Sequence, residues 1–317
     1  MVDLVGNRKY FFMLSILLVL AGIVAFIING IQLDIQFQGG TIINIQMDND
    51  SFDTAEIESS VSNALNKKVS AQKSTTYNVN DPENMIDMLV LKVSSEETLT
   101  GDELNKVYEI LRTDFGANED AEADVQSVAP FIGKELLSKG IQAALIASVL
   151  IIIYVWWRFS IMSGLAAAIT AVIALFHDVA IMFAVYPIFN IPINESFIAA
   201  VLTILGYSLN DTIIVYDRIR ENSKLYRKTP LPEIVNMSII QTLSRTINTL
   251  VTTLICIVTV FIFASVNNIS SIKEFSLPLL VGLISGAYSS IFIAGPLWMM
   301  WKQSQQRKKV NKKPAKA

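Results

Sequence analysis

Four ionisable side chains lie inside apolar stretches of the sequence that otherwise hold few charges. They are His177 and Asp178 in one stretch, Asp211 in the next and Arg245 in the one after that. Inserting one Asp or Arg near the middle of a membrane-spanning helix costs about 2.5–3.5 kcal/mol. Four such residues therefore indicate a structural or functional purpose.

Asp211 and Arg245 are each accompanied by polar residues at helical spacing. Tyr207 and Ser208 precede Asp211 by four and three residues, so their hydroxyls share its helix face. The polar residues at the corresponding spacings around Arg245 are Thr242, Asn248 and Thr249, and together these groups predict a proton path through water between the adjacent helices. At a rise of about 1.5 Å per residue, both charges fall in the same half of the membrane, so we expect that they can pair.

This pair has two interpretations. Burial favours a neutral carboxyl group and a guanidinium favours a charged one, so a moving Arg245 would switch Asp211 between holding and releasing a proton. One proton crossing 100 mV supplies about 2.3 kcal/mol, which can bias a conformational change. The alternative is a structural ion pair that fixes the helix register, and the residues alone leave both open.

His177 and Asp178 lie just past the middle of their stretch, towards the opposite side of the membrane. They predict either a second part of the proton path or a hydrogen-bonded packing group. The chain has one histidine and one cysteine, which argues against a metal site and excludes an intrachain disulfide. The cysteine, Cys256, is expected to pack between helices. The sequence predicts neither an enzyme nor a cofactor.

Membrane-spanning helices must position these residues. Hydrophobic residues make up 52% of the 317 residues and charged residues 17%, as in multi-span membrane proteins. Stretches long enough to cross about 30 Å of hydrocarbon predict six spans, the first an uncleaved anchor. They are Tyr10–Ile28, Ile141–Trp157, Ser163–Val185, Phe197–Tyr216, Gln241–Val266 and Phe275–Trp301.

The charges predict how the chain lies in the membrane. Apart from Lys273, the Lys and Arg residues of the short loops fall on one side, which predicts cytoplasmic termini and an exterior segment 31–136. The basic residues of 302–317 predict a solvated cytoplasmic tail, with contact to anionic lipid or to a cytoplasmic partner as the alternative. Residues 31–140 contain twenty Asp and Glu against eight Lys and Arg, which argues against nucleic-acid binding.

The exterior segment predicts a small α+β domain. Its strands by alternation of apolar residues are Thr41–Met47, Val69–Val79, Met88–Ser94 and Val125–Val128. Helices are predicted to start at Asp53, with Glu56 three residues on, and at Thr100, with Glu103 in the capping-box position. The order βαββαβ predicts a ferredoxin-like domain that binds or docks a partner. The glycines of FQGGT, Phe37 to Thr41, predict a turn or a close backbone approach.

Several motifs carry a family resemblance. GYSLNDTIIVYDRIREN, residues 206–222, resembles a signature of the SecD/SecF family of bacterial protein-export membrane proteins, within the resistance-nodulation-division superfamily. TLSRTINT, residues 242–249, resembles the companion motif. FQGGT, SVAPFIGKEL (residues 127–136) and the HD pair at 177–178 also fit, so the resemblance extends over most of the chain. Tyr216 stands where Phe is common.

The resemblance implies an accessory subunit of the Sec translocase in the cytoplasmic membrane of a bacterium. Such a subunit works with SecD, the SecYEG translocon and unfolded preprotein, and uses the proton motive force. Its proton-path residues carry over onto Asp211 and Arg245, with Asn210 and Thr212 beside them. Six spans match the separate SecF form, which requires a SecD partner. A half-size small-molecule or lipid exporter of the superfamily and a non-transporting scaffold remain alternatives.

Overall fold

The computed structural model describes residues 3–48, 52–77, 85–94, 99–118, 123–267 and 269–311. The helices are α1 (Arg8–Asn29), α2 (Ile35–Gln38), α3 (Thr54–Leu65), α4 (Gly101–Phe115), α5 (Pro130–Arg158), α6 (Gly164–Phe189), α7 (Glu195–Leu225), α8 (Leu231–Val266), α9 (Ser270–Ser289) and α10 (Gly295–Asn311). The strands are β1 (Gly40–Gln46), β2 (Lys68–Tyr77), β3 (Met85–Ser94) and β4 (Asp124–Val128).

The prediction of six membrane-spanning helices is confirmed in number, by the length and apolar composition of the helices. The fifth helix begins at Leu231, earlier than the predicted Gln241. Pro232 lies in its first turn, where a proline does not interrupt the helix. Cys256 is exposed on α8, so the predicted packing between helices is not found within this chain.

The sixth span is one continuous apolar helix in which α9 and α10 are joined by a π-helical segment, Ser290–Ala294. A π-helical turn holds more residues than an α-helical turn and often marks a functional site. The last residue of α9 and the first of the π segment, Ser289 and Ser290, are both fully buried.

The bundle has a buried interior formed by α6, α7 and the sixth span. Small residues on α6, among them Ala167, Ala171 and Ala174, are buried and allow close packing between helices. Gly286 serves the same purpose on α9, because a Cβ there would lie 2.9 Å from the Cβ of Ser208. The helices α5 and α8 lie outside this interior and are largely exposed.

The sheet domain, residues 40–128, is a four-stranded antiparallel sheet in the order β2-β3-β1-β4 with α3 and α4 on one face. Alternate residues such as Ile43, Leu89 and Leu91 are fully buried against the two helices. The Asp53 side chain accepts a hydrogen bond from the Ala55 amide at the start of α3. β3 begins at Met85, three residues before the predicted start, and residues 78–79 of the predicted second strand lie outside the described residues.

Thr100 and Glu103 form the capping box that the sequence predicts for α4. The close backbone approach predicted for FQGGT is also found. A Cβ on Gly40 would collide with the Val93 carbonyl oxygen of β3, and Gly39 and Gly40 have φ angles of 88° and 146°. These positions therefore require glycine.

A short linker, residues 31–39, joins the sheet domain to one end of the bundle. The Asp34 amide donates to the Ile193 carbonyl (2.9 Å), and the Ile193 amide donates to the Gln32 carbonyl (2.8 Å). Phe37 packs with Tyr186 and Ile193. The domain thus rests on the loop between α6 and α7.

Candidate functional site

Three side-chain hydrogen bonds fix the register of α7 against the antiparallel α8. They join Tyr207 to Thr253 (3.5 Å), Arg218 to Gln241 (2.7 Å) and Asn222 to Ser238 (2.8 Å). In each bonded pair the two residue numbers add up to nearly the same value, as expected for antiparallel helices in a constant register. By the same register, Asp211 of α7 lies level with Thr249 of α8. Arg245 is four residues further from the sheet domain, about 6 Å along the axis.

Asp211 is 2% exposed, and within the described chain its Oδ2 atom accepts no hydrogen bond. Arg245 is near enough to act on it electrostatically, but the two side chains do not form a direct ion pair among the described residues. The Arg245 side chain is exposed on the outer face of α8. Asp211 is therefore a buried carboxylate with an open acceptor and a cation nearby that packing leaves able to move.

A cavity of about 660 Å³ opens between α7 and α8 at the end of the bundle opposite the sheet domain. Thr242 and Arg245 line its inner part, and charged side chains line its mouth. Asp217 at the mouth pairs with Arg158 (2.8 Å) and Arg220 (2.9 Å). The cavity is a polar route from that end of the bundle to the Arg245 guanidinium.

Asp178 has the opposite surroundings. It is fully buried, and its carboxylate accepts hydrogen bonds from the hydroxyls of Ser208 (2.7 Å), Ser285 (2.7 Å) and Ser289 (2.8 Å). We call these three residues the serine cage. They come from α7 and α9, so one carboxylate on α6 holds three helices together.

His177 lies beside Asp178, with its Nδ1 atom 3.3 Å from the carboxylate. Its ring stacks on that of Tyr288 at 6.1 Å between centroids, and the Tyr288 hydroxyl donates to the Phe11 carbonyl of α1 (2.7 Å). In the part of the chain that the structure describes, the buried Nε2 atom of His177 has no partner. This pair thus connects α6 to α9 and α1.

A row of buried hydroxyls continues from the serine cage between α7 and the sixth span. Thr212 and Ser290 share a hydrogen bond of 2.9 Å, and Ser290 also donates to the Ser208 carbonyl (3.2 Å). Further on, the hydroxyls of Tyr216 and Thr170 lie 2.8 Å apart. Thr212 is thus hydrogen-bonded on the Asp178 side of α7 despite being next to Asp211 in sequence.

The remaining hydroxyls predicted for the proton path bond locally. Thr242 donates within α8 to the Ser238 and Ile239 carbonyls (3.1 and 3.0 Å), and Thr249 donates to the Arg245 carbonyl (2.9 Å). Such back-bonding satisfies a hydroxyl inside its own helix. These threonines therefore lie near the site with little free hydrogen-bonding capacity.

A polar stripe runs along the outer faces of α7 and α8. It consists of Asn210, Ser244, Arg245 and Asn248. All four are exposed, and none has a side-chain hydrogen-bond partner among the described residues. The exposed face of α5, by contrast, is apolar, with residues such as Leu145, Val149 and Ile153. Since polar groups in hydrocarbon are costly, the stripe is a surface that protein or water must cover.

A junction network of charged and amide groups ties the sheet domain to the bundle. Lys92 of β3 pairs with Asp34 (2.8 Å) and lies 3.8 Å from Glu274 at the start of α9. The Asn194 side-chain amide donates to Glu274 and its carbonyl accepts from the Phe197 amide, capping α7. The sheet is thus linked to the first turns of the helices that carry Asp211 and two residues of the serine cage.

The sequence reasoning missed three serines, Ser285, Ser289 and Ser290, and the junction residues Asp34, Lys92 and Glu274. Serine at four-residue spacing, as at 285 and 289, is a weak signal for a polar helix face. The Lys92 contacts had no sequence signal.

The model of the family described as "Protein export membrane protein SecD/SecF, C-terminal" matches residues 109–304. The chain belongs to the SecD/SecF family. The matched segment contains Asp178, Asp211 and Arg245, whereas Asp34 and Lys92 lie before it.

Relatives in the SecD/SecF family align over most of the chain. It is 33% identical to a protein translocase subunit SecF of Alicyclobacillus acidocaldarius, covering 96% of this chain and 94% of that protein. It is 32% identical to a SecF of Anaerolinea thermophila over the full length of both. It is 35% identical to a protein translocase subunit SecDF of Bacillus subtilis, of which it spans 39%.

Solved SecDF structures have the same fold over nearly the whole chain. The crystal structure of the translocon-associated membrane protein SecDF from Thermus thermophilus superposes with a TM-score of 0.77 at 28% identity. That match covers 95% of this chain and 39% of the solved chain. A SecDF structure in a super-membrane-facing form matches with a TM-score of 0.70 at 29% identity, over 98% of this chain and 40% of the solved one.

Proposed function

We propose that this chain is a SecF-like subunit of the Sec translocase, which uses a proton gradient to assist preprotein movement across the bacterial cytoplasmic membrane. The buried Asp211 carboxylate, with an open acceptor near the exposed Arg245 guanidinium, is the observation that carries this proposal. The full-length SecF relatives support the same role. No observation favours the half-size small-molecule or lipid exporter.

Asp211 holds the transported proton in this mechanism. Protonation removes the negative charge that attracts Arg245, so the guanidinium can withdraw towards the cavity at the far end of the bundle. The proton then leaves through that cavity when Arg245 returns. The approach to this exchange is lined by Tyr207 and Asn210, which precede Asp211 on α7, and by Thr242 and Thr249 on α8.

His177, Asp178 and Thr212 belong to the supporting side of the same path. The three hydroxyls of the serine cage donate to the Asp178 carboxylate and fix its position between the helices. Asp178 then anchors α7 against α9 while Asp211 changes its charge. Thr212, bonded to Ser290, helps to hold the same interface.

Movement of α7 reaches the sheet domain through the junction network. Asn194 caps α7 and donates to Glu274 of α9, and Glu274 lies 3.8 Å from Lys92 of β3. A small shift at Asp211 can therefore tilt the sheet domain. In the proposed mechanism this tilt moves a domain that holds the exported chain.

The polar stripe supports a SecD partner. An exposed Arg and two Asn in spans long enough to cross the membrane need a protein surface that supplies hydrogen bonds or a carboxylate. A second set of membrane helices, supplied by SecD, would complete the proton path there. The apolar face of α5 then contacts the lipid bilayer.

The proposed orientation places both termini and the basic tail 302–317 in the cytoplasm. Segment 1–30 then holds the first span, 31–136 is the exterior domain and 137–301 holds the other five spans. The strand order β2-β3-β1-β4 supports a ferredoxin-like exterior domain. On that side the domain can meet a preprotein leaving the SecYEG translocon.

The decisive test measures preprotein export with and without a proton gradient, in vesicles whose only copy carries Asp211→Asn. Asn keeps the size and polarity but does not titrate, so gradient-stimulated export should fall to the level seen without a gradient. Asp114→Asn, the same chemical change at an exposed position of α4, is the matched control.

Membrane insertion and association with SecD must be unchanged in both variants. Retained gradient stimulation in Asp211→Asn would rule out the proton relay and leave a structural scaffold.

A further inference from the structure

A second cavity, of about 580 Å³, lies between the sheet domain and the bundle end on which it rests. We call it the junction cleft. The sheet domain contributes Ala71 and Gln72 from the edge strand β2, and the bundle contributes Tyr186, Asn190, Ser265 and Glu274. Its volume falls within the range of about 300–1,000 Å³ that is usual for ligand pockets.

Two residues of the lining, Gln72 from the sheet domain and Ser265 from the bundle, each have a side-chain polar atom without a partner in the described chain. These atoms are the Oε1 atom of Gln72 and the hydroxyl of Ser265, and both are buried. An unfilled buried polar group costs about 1–3 kcal/mol, so a ligand that fills both would gain from it. The Gln72 oxygen requires a donor, whereas the Ser265 hydroxyl can donate or accept.

A peptide group matches this pair of requirements, since its N–H can donate to Gln72 and its carbonyl can accept from Ser265. A phosphate or sulfate has no donor for the Gln72 oxygen in its fully charged form. The lining carries Lys73 and Lys273 as well as Glu274, so its charge selects neither an anion nor a cation. The apolar side chains of Tyr186, Ile191 and Leu277 in the lining provide room for side chains of varied size.

We propose that the junction cleft binds an extended segment of the polypeptide being exported, through its backbone rather than through a particular sequence. This inference rests on the proposed function. It adds the place at which the exported chain contacts this subunit. Gln72 and Ser265 are the residues that fill their hydrogen bonds with the peptide backbone.

The location of the cleft gives bound polypeptide a direct connection to the proton site. Glu274 and Asn194 line the cleft and also belong to the junction network. A tilt of the sheet domain that is driven from α7 changes the spacing of the two walls. The cleft would then hold the chain in one state and release it in the other.

Site-specific photo-crosslinking during export tests where the chain binds. A photoreactive amino acid replaces Gln72 in the full-length subunit within its complex, in cells that export a model preprotein. The control is Gln126, an exposed glutamine on β4 at the opposite edge of the sheet. We expect at least a fivefold higher yield of preprotein crosslink at position 72.

Two results of that experiment would overturn the proposal: equal yields at both positions, or crosslinks from position 72 only to a partner subunit. The readout is separate from the test of Asp211. Gradient-driven export without crosslinks at 72 removes the cleft proposal alone, and crosslinks at 72 without gradient stimulation remove only the proton mechanism.

A binding measurement tests the backbone chemistry. The probe is a fluorescent twelve-residue peptide of alternating Thr and Val, titrated into the purified complex in nanodiscs, with an N-methylated copy as the chemical control. Gln72→Leu should weaken binding about fivefold, as expected for one neutral hydrogen bond, and Ser265→Ala should act similarly. Gln126→Leu should have no effect.

The N-methylated peptide should bind at least fivefold more weakly than the parent. Equal binding of the two peptides would contradict backbone recognition, and so would unchanged affinity in both cleft variants. Thermal unfolding of each variant confirms that the protein is folded.

Discussion

Asp178 and Asp211 are both aspartates buried in membrane-spanning helices, but their surroundings differ. Three serine hydroxyls donate to Asp178, whereas Oδ2 of Asp211 accepts no hydrogen bond in the described chain. A buried carboxylate whose acceptors are filled stabilises the groups that surround it. One with an open acceptor gains most from a proton or from a cation that approaches it.

This comparison shows that burial alone does not indicate the role of a carboxylate inside a span. The number of its oxygen atoms that accept no hydrogen bond must also be considered. Both residues are almost completely buried. Their neighbours differ: Asp178 supports the packing of three helices, whereas Asp211 keeps the open acceptor that the proposed proton exchange requires. Four predictions test this distinction.

The largest effect should be on stability. Asp178→Ala leaves three buried hydroxyls without their acceptor, so we expect it to lower the free energy of unfolding by about 3 to 5 kcal/mol. Asp211→Ala removes a carboxylate with an open oxygen and should change it by less than about 1 kcal/mol. Denaturant unfolding of the full chain in detergent measures both, and equal losses would end the distinction.

A single cage hydroxyl should have a smaller effect. Ser285→Ala removes one hydrogen bond to a charged group, worth about 1.5 kcal/mol. Ser276→Ala on the same helix is the matched control, because the Ser276 hydroxyl bonds to its own helix at the Ile272 carbonyl. The same unfolding measurement should show almost no change for the control, and an equal change would show that Asp178 gains nothing from its donors.

Asp34 is a carboxylate at the junction whose acceptor is filled by Lys92. We expect this ion pair to matter more for the coupling between the bundle and the sheet domain than for the stability of the protein. Lys92→Met breaks the pair with Asp34, so we expect gradient-stimulated export to fall about threefold while the sheet domain stays folded. Lys67→Met is the control, since Lys67 pairs with Glu103 inside the domain at 2.5 Å and does not contact the bundle. A similar loss of export in both variants would mean that the junction is not special.

The smallest expected effect is on the pH dependence of stability, through Glu103. This carboxylate lies near the surface and accepts hydrogen bonds from Lys67 and Thr100. The hydrogen bond from Lys67, helped by the Thr100 amide, lowers the pKa of Glu103. The folded protein thus binds this proton less readily than the unfolded chain, so the stabilisation is present above the unfolded value of about 4.3 and is lost as the pH falls through the lower folded value.

Hydrogen exchange at the amides of α4 between pH 6 and pH 3 measures this loss. Glu103→Gln should flatten the profile. A stability that rises as the pH falls would contradict the direction of the shift.

Much of the fold follows from local signals in the sequence. Long apolar runs define six spans, and the capping box at Thr100 and Glu103 defines the start of α4. The glycines at 39 and 40 mark the close approach to β3. These features depend on residues that are near one another in the chain, so periodicity and capping rules reach them.

The site is only partly accessible in this way. Asp211 and Arg245 stand out because charge is rare in apolar runs, and their depths follow from helix geometry. Their offset depends on the register between α7 and α8, which three long-range hydrogen bonds fix. The contact of Asp178 with Ser285 and Ser289 joins residues over a hundred positions apart, and no local pattern encodes it.

The π-helical segment Ser290–Ala294 lies between the serine cage and Trp298 on the sixth span. An α-helix turns by about 100° per residue, so the extra residue in the wide turn rotates everything after it by about that angle. The faces of the two halves of the span are therefore not related by the regular α-helical repeat. The far half can repack around Tyr216 and Trp298, and the wide turn absorbs the rotation without pulling Ser289 away from Asp178.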